Sequence, residues 1–352
     1  MAKRRKKVVS ADVARLAGVS RTTVSLVLNN VPGTNISEET RRRVLEAARQ
    51  LEYYPHAAAR SLASRRSGNI GVVLCQSADR LFADVFLMEV LHGIHEVIRP
   101  QGFHILLEAV EDVSAPDAYF GLVQSRQIDG LIVSGPRSDD LQLLRIQENG
   151  FPVVLEGQLP GSDLPQVDVD NVGGARLALE HLLSLGHRQI AFISNGPLIY
   201  TASRDRLHGY RAALLKAGLH YDEALVRFGE FSRASGHVAM QSLLTLPERP
   251  TAAFVASDLV AFGALTALRE AGVRVPNDMA VVGFDDVRMA AYVTPPLTSV
   301  HLPARKLGQT AAETLLRLLA GEEAEKQPVL LDSELIIRES SGKRVNSRPA
   351  GD

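Results

Sequence analysis

Ala14, Gly18 and Val24 lie at offsets of four and six within Ser10 to Asn29. A helix-turn-helix needs those types at those places. It takes a small residue where two helices cross, a residue free to adopt positive φ in the turn, and an apolar contact on the second helix. Val27 and Leu28 continue the buried face, which leaves Arg21, Thr22, Ser25, Leu26 and Asn29 pointing outward. An arginine can grip guanine O6 and N7 with two N–H groups, and a threonine can meet a thymine methyl or share a hydrogen bond. The chemistry expected of Ser20 through Asn29, with Thr23 in the same turn, is readout of base edges in a major groove. The competing reading is a helical hairpin that binds nothing.

Charge supports a polyanion partner. Residues 1–67 hold 14 Lys and Arg against 5 Asp and Glu, whereas the rest holds 25 against 35, so a net charge of -1 conceals a basic block on an acidic body. Such a block suits nucleic acid, although a solvated basic tail has the same composition. Next comes Pro55-His56-Ala57-Ala58-Ala59-Arg60-Ser61-Leu62-Ala63. Its helix propensity is high, but two or three turns are marginal alone in water. The expectation is a segment disordered when free and helical on DNA, with His56, Ala59 and Arg60 on the duplex. Leu62 would be an apolar tip that wedges into a minor-groove step. A plain linker helix is the alternative.

These residues must be positioned by local elements. Ser10 is expected to cap a first helix carrying Val13, Ala14, Leu16 and Ala17 on one face; Ser20 caps a second. Ser37 opens a third, with Glu38 and Glu39 in its first turn and Val44, Leu45, Ala48 and Leu51 as its apolar stripe. Pro55 should end it, because Tyr54 is pushed out of the α region.

From Gly68 onward short apolar runs alternate with amphipathic stretches. Strands are expected at 70–74, 104–107, 130–133, 152–155, 190–193, 225–228, 252–255 and 280–283. Helices are expected at 85–99, 115–127, 172–184, 206–217, 234–244, 260–271 and 306–320. That alternation implies parallel sheets with helices on both faces. The run 71–74 is echoed by 190–193, 130–133 by 252–255, and 152–155 by 281–284, which suggests two similar lobes with a cleft between them. The fold expected is an all-α helix-turn-helix headpiece (1–54), a hinge helix and linker (55–67), an α/β core of two doubly wound parallel-sheet lobes (68–342) and a disordered tail (343–352).

Several functions lose support. Cys75 is the single cysteine, so no intrachain disulfide or multi-cysteine zinc site can form. No apolar run long enough for a signal peptide follows the basic N-terminus, and none approaches a membrane span, so no membrane partner is expected. Phosphate-cradling glycine loops, zinc-protease and nucleophile-elbow motifs are missing. His92 and His95 share a helix with no third ligand nearby, and Asp285 and Asp286 are adjacent and need not face one site. Strand geometry accounts for the alternation of Asp168 and Asp170. No cofactor, metal or catalytic residue is expected.

Over about residues 8–340 the chain resembles the lactose/galactose-repressor (LacI/GalR) family of bacterial regulators. The resemblance rests on Asp12 through Ser20, Thr23 through Asn29, Arg41 to Leu51, Pro55 through Leu62, and Asp129-Gly130-Leu131-Ile132. It continues through Asp170-Asn171, Gly174, His181-Leu182, Leu185-Gly186-His187-Arg188, Ile190 to Ile193, and Arg206 with Gly209-Tyr210. Ser257-Asp258, Gly283-Phe284-Asp285-Asp286, Pro296-Leu297-Thr298 and Arg338-Glu339-Ser340 complete it. The resemblance implies a homodimer whose paired headpieces read a pseudo-palindromic operator, with Leu62 inserted at its centre. It also implies a core like that of periplasmic sugar-binding proteins, in which a small effector between the lobes alters hinge spacing.

Arg206 and Asp285 match family positions that hold ligand hydroxyls or carboxylates, and Phe231 one whose ring stacks on the ligand. An arginine fork and a carboxylate in one cleft suit vicinal diols through charge-assisted bonds. A structural ion pair and core packing are the respective alternatives. Phe86 and Ser257 complete the expected ligand set, with Glu156 and Gln158 as further candidates. The chain departs from the family pattern at three places. Leu26 stands where a polar group is common, Ser257 where asparagine is common, and the loop Gln76 to Phe86 lacks an Asn-Pro-aromatic-aromatic run. Leucine at 26 cannot donate to guanine, so the operator should differ at that base.

The resulting expectation is a sequence-specific repressor of double-stranded operator DNA, cytoplasmic and homodimeric, controlled by a sugar. A purine co-repressor is the competing ligand, and it would want more aromatic stacking. An enzyme carrying a DNA-binding headpiece, and a sensor with a vestigial headpiece, are the competing functions.

Overall fold

The protein is described here from a computed structural model, which covers residues 8–29, 33–53, 66–113, 115, 118–325 and 327–342. Backbone contacts divide the chain into two units, Met1–Gly68 and Asn69–Asp352.

The first unit holds three helices, α1 (Ser10–Ala17), α2 (Arg21–Leu28) and α3 (Glu38–Gln50). Gly18 takes the left-handed conformation (φ 66°) that turns the chain between α1 and α2 without a Cβ penalty. Ser20 caps α2 by accepting from the Thr23 amide at 3.0 Å, and Ser37 caps α3 by accepting from the Thr40 amide at 3.2 Å. Ser10 is not the cap of α1. It is the first helical residue, and Asp12 reaches back to the Val9 amide instead (3.1 Å). The core is Val13, Ala14, Ala17, Val24, Val27, Val44, Ala47 and Ala48. Leu16 and Leu45, expected on apolar stripes, are 52% and 44% exposed. Each sits at the edge of its helix's buried face, roughly 60–100° around from its nearest buried neighbours, where a three-helix core does not reach.

The second unit carries two six-stranded sheets. The first runs β11-β5-β4-β3-β1-β2, from β1 (Asn69–Leu74), β2 (His104–Ala109), β3 (Gly130–Ser134), β4 (Val153–Glu156), β5 (Gln166–Val169) and β11 (Val329–Leu331). The second runs β12-β10-β9-β8-β6-β7, from β6 (Ile190–Ile193), β7 (Val226–Arg227), β8 (Ala252–Val255), β9 (Ala280–Asp285), β10 (Thr298–His301) and β12 (Glu334–Ile336). All pairings are parallel except β10 with the edge strand β12. The echoed segments occupy equivalent places: β1 answers to β6, β3 to β8 and β4 to β9.

Helices cover both faces. They are α4 (Ala78–Ala83), α5 (Val85–Ile98), α6 (Phe120–Gln124), α7 (Leu141–Glu148), α8 (Asn171–Ser184), α9 (Thr201–Lys216), α10 (Arg233–Leu244), α11 (Asp258–Glu270) and α12 (Ala304–Leu319). Alternate residues of β1 enter different cores, Ile70, Val72 and Leu74 on one face and Val73 on the other. A strand buried on both sides accordingly reads as a continuous apolar run. α12 belongs with the first sheet. It crosses α5 where Gly93 faces the Arg305 carbonyl and Gly308 faces the Val90 carbonyl, and a Cβ at either glycine would collide with backbone.

The chain passes between the lobes three times: Val169 to Asn171, His301 to Ala304, and Leu331 to Glu334. Four expectations need correction. The helix expected at 115–127 is only Phe120–Gln124, closed by Arg126 at φ 54°. The strand expected at 225–228 shrinks to Val226–Arg227, because Glu223–Leu225 forms a 3-10 turn and Phe228 is exposed. The presumed loop before α5 contains α4. α9 begins at Thr201, a turn and more before Arg206, which places that arginine mid-helix.

Candidate effector cleft and DNA-reading helix

The cleft between the lobes is lined by Phe86, Arg206, Phe231, Ser257 and Asp285, so the five expected ligand residues meet in one cavity of about 110 Å³. Glu156 also lines it; Gln158 does not, and instead donates to Asp168 at 3.3 Å. Arg206 is the organising group. It is buried in α9, its Nε donates to Asn171 Oδ1 at 2.8 Å, and its Nη1 donates to the Ala256 carbonyl at 2.7 Å. Its guanidinium lies 4.0 Å from the Phe284 ring centroid, a stacked arrangement. Asp285 Oδ1 is 3.7 Å from Arg206 Nη1, too far for a hydrogen bond. The pair is therefore attracted but not closed, and Asp285 Oδ2 instead accepts from the Asp258 amide at 3.4 Å.

Around Arg206 stand Asp84, Glu156, Asp168 and Asp285. Burial pushes Glu156 and Asp285 up to about 7 and Asp168 up to about 6, and burial likewise raises Asp84. Asp84 and Asp168 were not among the expected ligand residues. Asp168 is more than an alternating strand residue: it accepts from Asn171 Nδ2 (3.2 and 3.1 Å), joining β5 to α8 across the first interlobe crossing. Asp170 has a different task, capping α8 at the Gly173 amide (2.7 Å). The signal that could have found Asp168 is a buried-type strand, Gln-Val-Asp-Val, carrying a charge.

At the mouth, Tyr200 packs edge-on to Phe231, with ring centroids 4.9 Å apart. Phe231 sits at φ 51° and Asp285 at φ 108°, left-handed conformations that an L-residue rarely adopts and that clefts tend to retain. Asp286 turns away to bind Arg338 (2.7 Å) and His301 (3.1 Å), so the adjacent acids do not share a site. His92 lies between Glu89 and Glu96 on α5. No metal-holding group of side chains and no helix able to cross a membrane occurs among the described residues.

In the first unit Arg21 and Thr22 are fully outward on α2, while Ser25, Leu26 and Asn29 are half-buried. Asn29 Nδ2 donates to Ser25 Oγ at 3.2 Å. Ser20 and Thr23 are tied to each other at the cap, hydroxyl to hydroxyl at 2.9 Å. The exposed N-terminal turn of α2 thus presents one long cation and one hydroxyl. His56, Ala59, Arg60 and Leu62 lie outside the described residues, as does the segment 343–352.

Comparison with known proteins agrees with this architecture. Residues 11–56 match the helix-turn-helix family described as bacterial regulatory proteins, lacI family, and residues 179–341 match a periplasmic binding protein-like domain. The chain is 38% identical over 340 residues to the HTH-type transcriptional regulator CelR of Thermobifida fusca, covering 96% of this chain and 99% of that one. It is 34% identical to the HTH-type transcriptional repressor PurR of Aliivibrio fischeri, covering 95% and 98%. Among solved structures it is similar to a lac repressor dimer bound to operator and the anti-inducer ONPF (TM-score 0.85, 31% identity, 96% and 100% covered). It is also similar to a CelR–cellobiose complex (TM-score 0.74, 36% identity, 95% and 100% covered). With a headpiece, a two-lobed core and near full-length likeness in hand, the chain belongs to the LacI family of bacterial regulatory proteins.

Proposed function

We propose that this protein is a homodimeric transcriptional repressor whose affinity for a double-stranded operator is set by a sugar bound between the core lobes. The division of labour follows the chain: headpiece 1–54, hinge 55–67, effector and dimerisation core 68–342, and tail 343–352. Arg21 and Thr22 read base edges, Ser20 and Thr23 fix the start of the reading helix, and Ser25, Leu26 and Asn29 follow along it. His56, Ala59, Arg60 and Leu62 engage the operator centre. No catalytic step is assigned to the cleft, and the protein acts on the bacterial nucleoid.

The observation that carries the reading is Arg206, held between Asn171 and Ala256 and facing four carboxylates. A pre-set arginine with carboxylates is suited to several hydroxyls on one ring, each bond charge-assisted. Phe231 offers an apolar face beside them. The same cluster sits on the first interlobe crossing through Asn171 and Asp168. A ligand that bonds there more favourably in one lobe arrangement shifts the population toward it, which is what effector control requires. The cellobiose bound by CelR supports a sugar; the purine reading is favoured by likeness to a repressor named PurR, but Tyr200 meets Phe231 edge-on rather than forming with it a parallel slot for a flat base.

The test is operator binding by the purified protein at one fixed salt concentration, titrated with neutral sugars and purines. Release of DNA by a sugar is the expected outcome. Tightening by a purine instead would make the protein a co-repressed regulator, and no specific DNA binding would remove the repressor reading.

A further inference from the structure

The cleft's polarity is one-sided. Its lining carries Asp84, Glu156, Asp168 and Asp285 against a single cation, Arg206, and two of that arginine's donors are already committed within the protein. Independently, Asn195 lines the cavity, is only 5% exposed, and leaves its Oδ1 without a hydrogen-bond partner among the described residues. Its main chain is held beside the cavity, where its backbone carbonyl accepts from the Phe231 amide at 2.7 Å. A buried acceptor left unpaired costs free energy, and such groups are retained where a ligand completes them.

We infer that the cleft selects uncharged sugars, that Asn195 accepts a hydrogen bond from a sugar hydroxyl, and that phosphorylated and carboxylated sugars are rejected. This rests on the sugar reading above and narrows it. Hydroxyl hydrogens supply the donors that carboxylates and Asn195 Oδ1 lack. Above about pH 7, where Glu156, Asp168 and Asp285 are ionised, a phosphate or uronate would bring acceptors and negative charge to a wall already short of donors, and like-charge juxtaposition is a strong negative selector.

The experiment is calorimetric titration of the full-length protein with neutral mono- and disaccharides. The tightest binder is then compared with its own 6-phosphate and uronate at the same pH and salt. The neutral sugar should bind at least about tenfold more tightly. In the Glu156→Gln/Asp168→Asn protein the gap should narrow, because charge rather than size creates it. An equal or tighter charged sugar, or a gap unchanged in the double variant, overturns the selectivity while the sugar reading stands. Failure of every sugar, charged or neutral, overturns both.

Asn195→Ala separates a ligand contact from a structural one. The expected result is a sugar affinity at least about fivefold weaker, with the melting temperature of the unliganded protein unchanged or raised. A melting temperature that falls, or an affinity that does not, overturns the role of Asn195.

Discussion

Tyr200 donates its phenol hydrogen to the carbonyl of Cys75, 2.6 Å away and on the opposite lobe. Arg137 lies 5.6 Å from the centroid of the Tyr200 ring, Ser138 donates its amide to the Ile199 carbonyl at 3.1 Å, and Arg80 meets Glu230 at 3.2 Å. These contacts hold the lobes together over the cleft mouth. The tyrosine bond is the buried one among them; Arg80–Glu230 is exposed enough to contribute little. Tyr200→Phe keeps the ring packing and removes one buried hydrogen bond. The closed arrangement should weaken by about 1 kcal/mol. Scattering should show a more open core, and effector affinity should fall several-fold. An unchanged radius of gyration and affinity would show that the lobes close without this bond.

Arg206→Lys retains a charge but cannot reach Asn171 and Ala256 together, nor stack flat on Phe284. With the carboxylates around it then poorly compensated, core stability should drop by about 3 kcal/mol or more. Operator binding should persist while the response to effector disappears. Gel-shift titration with and without effector checks this, and a normal response would make Arg206 dispensable.

The buried carboxylates set a pH dependence of known sign. Glu156 is pushed up to about 7, first by burial and then against the relief given by Ser134 and Arg206, with Asp168 and Asp84 adding to the rise. A carboxyl raised in the folded state stabilises the fold below its unfolded value and loses that contribution as pH climbs through the folded one. His181 and His187, lowered by burial, act the opposite way over the same interval. The useful quantity is therefore the difference between wild type and Glu156→Gln. The two should melt alike near pH 4, and the variant should gain on the wild type up to about pH 7.5. Calorimetry that finds a constant difference would place the ionisation elsewhere.

Arg21→Ala should relax specificity at one operator base by about 1–3 kcal/mol, measured on a set of single-base operator variants. Equal weakening on every sequence would make Arg21 a phosphate contact instead.

Leu62→Ala should lower operator affinity and leave the melting of the core untouched, as a minor-groove wedge requires. Unchanged affinity for the operator would remove the wedge role.

Much of this was readable in the sequence. β1, β3, β4, β6, β8 and β9 are buried on both faces, so their apolar runs announce them. β5, β10 and β12 carry Gln, Asp, Thr, Ser, His or Glu, and β11 is only three residues long (Val329–Leu331), so none of the four stands out as an apolar run. Arg206, Phe231, Ser257 and Asp285 were legible through resemblance. Asp84 and Asp168 were not: Asp84 reads as the cap of α5, accepting from the Phe86 amide at 2.9 Å, and Asp168 joins the cleft through the first crossing between lobes. Leu16 shows the converse: helical spacing placed it inward, and a three-helix unit has too little core to cover it.

Those three crossings have a consequence for biosynthesis. The first sheet lacks its covering helix α12 and its edge strand β11 until residues 304–331 have left the ribosome. Neither lobe is a contiguous stretch of message, so neither can be finished before the other is nearly complete. The three helices of the headpiece need nothing beyond residue 53 for the core they share. A nascent chain would therefore carry a folded DNA-reading unit for most of its synthesis, before it holds any completed cavity with which to sense an effector.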